Sequence, residues 1–156
     1  MKRQSAFAVI VFVGLVGAAL VPGVAQAQTG LQYYPITPCR VVDTRSSLDP
    51  AVTKRGAFTD GETREYTFST STDCPGLPST AGGWAIHISF LPTTVASFLT
   101  IYPSGVTRPG TSTLLGYPGT YTGNNAIVPA GSGGTIELYS QYAGTVIIDV
   151  NGYFAP

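Results

Sequence analysis

The sequence predicts an all-β fold: a single antiparallel β-sandwich, jelly-roll-like, of about eight strands and held by one disulfide. Three observations carry this. No segment sustains an apolar period of 3.6 residues, which an amphipathic helix would need. Gly, Pro, Ser and Thr break the chain roughly every eight to fourteen residues, the spacing of strands joined by short turns. Several of the stretches between breaks alternate apolar and polar residues, the period-2 signature of a half-buried strand.

The elements follow in order. Residues Leu31 to about Asp43 read as a first strand, with Pro35 and Pro38 confining its early half to an edge or a bend. A polar excursion from Thr44 to Glu62 contains the turn signals Asp49-Pro50 and Asp60-Gly61. Thr63 to Thr70 is a half-buried strand with Tyr66 and Phe68 on its inner face, and Cys74-Pro75-Gly76 turns the chain. Trp84, Ile86, Ile88 and Phe90 alternate with Ala85, His87, Ser89 and Leu91, as a central strand with one large apolar face does. Further strands are expected at Phe98 to Tyr102, Ser112 to Gly116, Asn124 to Val128, Thr135 to Ser140 and Thr145 to Val150. In the last, Val146, Ile148 and Val150 share one face, and Ile147 and Asp149 the other. Short connections favour antiparallel neighbours, and no internal repeat or linker divides the chain.

Lys2 and Arg3, an apolar run from Ala6 to Val21, then Pro22, Gly23 and Ala25-Gln26-Ala27 have the order of a cleavable secretory signal over residues 1–27. Cleavage after Ala27 leaves one domain over residues 28–156 and an exported protein, at the cell surface, in the periplasm or free outside. Lys2 and Arg3 leave with the signal, so eight basic residues become six against eight acidic ones, a formal −2. That balance offers no basic patch for nucleic acid, and no second long apolar segment holds the cleaved chain in a membrane. In an oxidising compartment Cys39 and Cys74 most simply pair, closing a loop of about 36 residues, for roughly 3 to 4 kcal/mol of stabilisation. A structural zinc would need four ligands, and His87 is the single histidine.

Pro38-Cys39-Arg40-Val41-Val42-Asp43-Thr44-Arg45 concentrates charge in a chain of which 10% is charged. Strict alternation places Cys39, Val41, Asp43 and Arg45 on one face and Arg40, Val42 and Thr44 on the other. This segment, followed by Phe98-Leu99-Thr100-Ile101-Tyr102-Pro103-Ser104-Gly105, Pro109, Ser112-Thr113-Leu114, Asn125 and Ile147-Ile148-Asp149-Val150-Asn151-Gly152-Tyr153-Phe154, resembles a secreted bacterial β-rich module. That module occurs in actinobacteria, acidobacteria and related groups, alone, in tandem or beside cell-wall and hydrolase domains. The resemblance spans nearly all of residues 28–156 and implies an exported, surface-associated protein. It supplies no catalytic residue. His87 departs from the pattern, which has Asn there.

Arg40, Asp43, Arg45 and Asp149 form the sharpest polar set. They suit an ion-pair network fixing the register of the terminal strands, since guanidinium offers a carboxylate two parallel donors. The competing reading is a calcium site of Asp43, Asp149 and Asn151, against which stands the absence of a dense Asp loop. No metal or other cofactor is called for. For catalysis, His87 sits in a regular strand with no G-x-S-x-G elbow. Glu62, Glu65, Glu137, Asp43 and Asp149 offer a glycosidase pair no distinguishing context. Nine tyrosines are a surplus, and Tyr33, Tyr34, Tyr117, Tyr121, Tyr139 and Tyr142 fall at strand ends or in Gly-rich loops. Tyr117, Tyr121, Tyr139 and Tyr142 are the candidate ligand platform, because flat amphipathic rings stack on sugars, although tyrosine also simply suits sheets.

The expectation is therefore a non-enzymatic surface or matrix module that associates with itself, its lead-in Leu31 to Thr37 available for donation to a neighbour's sheet edge. A glycan-binding module is the alternative, and a hydrolase the third choice.

Overall fold

The computed structural model describes residues 30–45 and 56–156. The signal segment and most of the polar excursion lie outside them. Eight strands form two four-stranded antiparallel sheets: β1 (Gln32–Asp43), β8 (Gly144–Ala155), β3 (Gly83–Pro92) and β6 (Thr122–Pro129) in that order, and β2 (Thr63–Thr67), β7 (Thr135–Ser140), β4 (Ser97–Pro103) and β5 (Leu114–Gly116) in the other. The chain crosses between sheets so that first and last strands become neighbours, which is the strand order of a jelly roll built from two Greek keys.

The core lies between the sheets. Trp84, Ile86, Ile88 and Phe90 of β3 and Val146, Ile148 and Val150 of β8 are all essentially inaccessible, as their alternation requires. Leu99 of β4, Ile136 and Leu138 of β7, Tyr66 of β2 and Phe68 meet them from the second sheet. Trp84 anchors the centre: its indole N–H donates to the carbonyl of Gly134 at 2.8 Å, and its ring meets the edge of Phe68. The buried polar atom of the indole is thereby satisfied.

Several strand boundaries differ from the sequence expectation. The strand after Thr63 stops at Thr67, because Phe68–Thr70 winds into one turn of 3-10 helix that still buries Phe68. The strand expected from Ser112 starts at Leu114. The last strand continues through Gly152 to Ala155, where it takes up the lead-in: Gln32 to Pro35 pair with Gly152 to Ala155. The segment considered for donation to a neighbour is thus paired within its own chain.

Strict alternation fails at the start of the chain. Arg40 faces Asp149 and Val42 faces Ile148, so Val41 is an extra residue in β1, a β-bulge. The bulge turns both Val41 and Val42 inward and moves Arg40 to the same face as Asp43. A second irregularity between Pro35 and Cys39 coincides with the two prolines. Cys39 there joins Cys74, with Cα atoms 5.6 Å apart, tying β1 to the turn after the 3-10 segment.

Candidate functional site

The bulge gathers the predicted polar set. Arg40 forks onto Asp149, Nε to Oδ1 at 2.8 Å and Nη2 to Oδ2 at 3.2 Å, and sends Nη1 to Asp43 at 3.2 Å. Asp43 also accepts the Arg45 backbone N–H and, from the same residue, Nε at 2.8 Å and Nη2. Its side chain is fully buried while the guanidinium groups of Arg40 and Arg45 stay partly in water. Burial alone would push the Asp43 carboxyl up; the hydrogen bonds from Arg45 and the charges of Arg45 and Arg40 outweigh that and hold it below the ordinary carboxylate range. The Arg40 guanidinium is held above its ordinary value, first by its hydrogen bond to Asp149. All four predicted residues are therefore brought together, and both carboxylates face guanidinium groups rather than an open coordination sphere. Among the described residues no group of three His, Cys, Asp or Glu has a metal-holding arrangement.

Register extends this lock into a polar row across the whole first sheet. Arg40 on β1 lies opposite Asp149 on β8, Asp149 opposite His87 on β3, and His87 opposite Asn125 on β6. Nδ1 of His87 and Oδ1 of Asn125 are 2.9 Å apart, and Nε2 is 3.4 Å from Oγ of Ser89. Ser89, His87 and Asn125 thus stand in the order nucleophile, base and orienting amide. β3 itself supplies no oxyanion cradle, because it is paired on both sides and its backbone N–H groups belong to the β6 and β8 ladders.

Of the four candidate platform tyrosines, Tyr117, Tyr121 and Tyr142 stand in loops and Tyr139 stands on β7. Tyr117 and Tyr121 flank a turn in which Pro118 and Gly119 take the inner positions; Gly119 has φ +83°, the left-handed geometry that a type II turn demands at its third residue. Tyr121 Oη lies 3.2 Å from Thr145 Oγ1, and the Tyr142 backbone N–H donates to Ser97 Oγ, placing these loops at one end of the sandwich. The Tyr139 ring is packed against Phe98 and beneath the Arg108 guanidinium, 3.9 Å from the ring centre. Tyr33 and Tyr34 pack on Phe154 and Tyr153 respectively. A shallow depression of about 500 Å³ opens on the outer face of the first sheet instead, lined by Tyr33, Ala85, Asn125, Ile127 and Asn151 among others. A second, of about 310 Å³, lies beside the disulfide.

Sequence reasoning missed one polar centre. Arg64, almost fully buried, forks onto Glu62, with Nε to Oε1 at 2.7 Å and Nη2 to Oε2 at 2.9 Å. It also donates to the carbonyls of Gly56 and Ala57 and lies 4.1 Å from the centre of the Phe58 ring. Glu62 is held at about 2, chiefly by the Arg64 hydrogen bond and despite partial burial. The signal was present: Glu62 and Arg64 are two apart, and alternation puts Arg64 on the inner face with Tyr66 and Phe68.

No protein-family model matches the chain, and no curated protein matches it.

Proposed function

We propose that this chain is an exported, non-catalytic building block of a cell surface or extracellular matrix, working through its faces and edges rather than through a reaction centre. The observation that carries the reading is the closure of β1 on β8: the antiparallel ladder and the Arg40–Asp149 ion pair join the two ends of the fold, and the disulfide ties the same β1 to the turn that holds Cys74, so that together they clamp β1 in place. Such a clamp resists fraying where strands at chain ends ordinarily open first. The resemblance to a secreted bacterial module and the signal-like residues 1–27 point the same way. The test is expression of the full chain in a bacterium, with fractionation, sequencing of the mature N-terminus and a screen against ester, peptide and glycoside substrates. Export with a new terminus at Gln28, an oxidised Cys39–Cys74 pair and no turnover is expected. Turnover abolished by Ser89→Ala or His87→Ala would contradict the reading.

A glycan-binding role is favoured by the depression lined by Tyr33, Asn125 and Asn151, which sets an aromatic ring beside amide groups, the pairing that sugars use. Titration with soluble peptidoglycan fragments tests it. Binding lost in Tyr33→Ala supports the sheet face, and binding lost only in Tyr117→Ala or Tyr121→Ala moves the platform to the loops.

A further inference from the structure

Two sandwich sheets have four edges, and in this fold three of them are protected. β1 carries Arg40, Pro35 and Pro38 and two breaks in register. β2 is five residues long, with Arg64 and Glu65 in it, and β5 is three residues long. Charge, proline, irregularity and shortness are the devices by which sheets avoid meeting one another edge to edge.

From Thr122 to Val128, β6 has none of them. It is eight residues, Thr-Gly-Asn-Asn-Ala-Ile-Val-Pro, uncharged, with its one proline at the far end, and it runs against β3 without a register shift from Phe90↔Thr122 to Gly83↔Pro129. The uncharged character is regional. From Cys74 to Ile136 the sequence holds one formal charge, Arg108, and that guanidinium is stacked on Tyr139 in the other sheet. The Ala130 N–H donates to the Gly82 carbonyl, which fixes the phase of the ladder. Thr122, Asn124, Ala126 and Val128 then bond to β3, whereas the backbone N–H and C=O groups of Gly123, Asn125 and Ile127 point away from it. Among the described residues these outward groups have no backbone partner, all three residues are exposed, and Ile127 is 71% accessible.

We propose that β6 pairs with β6 of a second copy of this chain, antiparallel about a two-fold axis through Asn125, joining the two first sheets into one continuous sheet. The pattern is self-complementary about that axis. Asn125 meets Asn125, and Ile127 of each copy lies against Gly123 of the other, where the strand presents no side chain of its own. No like charges are brought together. A two-fold pairing uses the same patch on both copies and therefore closes as a dimer. An edge of this length is a small interface, so association is concentration-dependent rather than permanent. This inference rests on the reading of the chain as a self-associating module and gives that reading a surface.

Sedimentation of the oxidised, signal-free chain from about 1 µM to about 1 mM tests it. Wild type is expected to pass from monomer to dimer across that range. Asn125→Pro, which removes an outward N–H and leaves the β3 ladder intact, is expected to weaken association at least about tenfold. Asn125→Lys and Asn125→Asp place like charges on the axis, so each alone is expected to remain monomeric while an equimolar mixture forms the heterodimer. The mixture also guards against a variant that merely misfolds, since only folded chains restore pairing. Wild type monomeric throughout, or association that all three substitutions leave unchanged, would overturn the β6 pairing; neither result bears on export or on the absence of turnover, which test the module reading separately.

Discussion

Arg64→Met is the most searching test of how the second sheet is held. The substitution keeps an apolar stem of similar reach but removes a forked pair with Glu62, two hydrogen bonds to the Gly56 and Ala57 carbonyls and the cation over Phe58. Two routes give the magnitude. Glu62 is drawn from 4.5 to about 2, a net effect of roughly 3 kcal/mol at neutral pH, to which Arg64 contributes most and the two Thr59 hydrogen bonds, which the substitution leaves in place, contribute the rest. Removing one member of a fully buried, hydrogen-bonded pair costs about 3 to 5 kcal/mol in general, and because the Glu62 left behind is 28% exposed, this pair belongs at the low end of that range. Since single domains are stable by only about 5 to 15 kcal/mol, a loss of about 3 kcal/mol takes a large share. Urea unfolding with the disulfide intact should show the midpoint falling by about 1 to 2 M at unchanged slope. Arg64→Lys should recover only part, because an ammonium cannot present the fork. A loss below about 1 kcal/mol, the range of exposed ion pairs, would refute the argument.

Further outcomes follow from the same contacts. Asp43 and Glu62 both have folded-state pKa values below their ordinary ones, so their stabilisation is complete above about pH 4.5 and is lost as pH falls from there towards 2; melting temperature against pH should show this window, and Glu62→Gln should flatten part of it. Cys39→Ser with Cys74→Ser opens a loop with a sequence separation of 35 and should lower stability by roughly 4 kcal/mol, read by urea unfolding at neutral pH. Trp84→Ala empties the centre of the core and strands the Gly134 carbonyl, with an expected loss of about 3 to 5 kcal/mol by the same assay.

How much of this was legible depended on whether neighbours in sequence are neighbours in space. Trp84 to Phe90 and Val146 to Val150 announce their buried faces because a regular central strand obeys period 2 without interruption. Val41 does not, since a bulge is decided by the partner strand: only the pairing of Arg40 with Asp149 and of Val42 with Ile148 shows that one residue is extra. The Cys39–Cys74 bridge followed from there being two cysteines, and the Arg40, Asp43, Arg45 and Asp149 set from the expected meeting of the terminal strands. Arg64 was hidden by its neighbours Tyr66 and Phe68, whose apolar signal names the inner face without saying that an arginine shares it. The openness of β6 was invisible for another reason. An edge is defined by which strand is absent beside it, and nothing local to Thr122–Pro129 records that β3 pairs on one side and no described strand on the other.

Native-state hydrogen exchange followed residue by residue reads the closure of the fold on itself most directly. Amides in Val41 to Asp43 and in Val146 to Val150 should exchange together, at the free energy of global unfolding, and should both speed up when the disulfide is reduced. Early exchange of the β1 amides while those of β8 remain protected would show that the ends of the chain open independently, and the rigid-module account would fail.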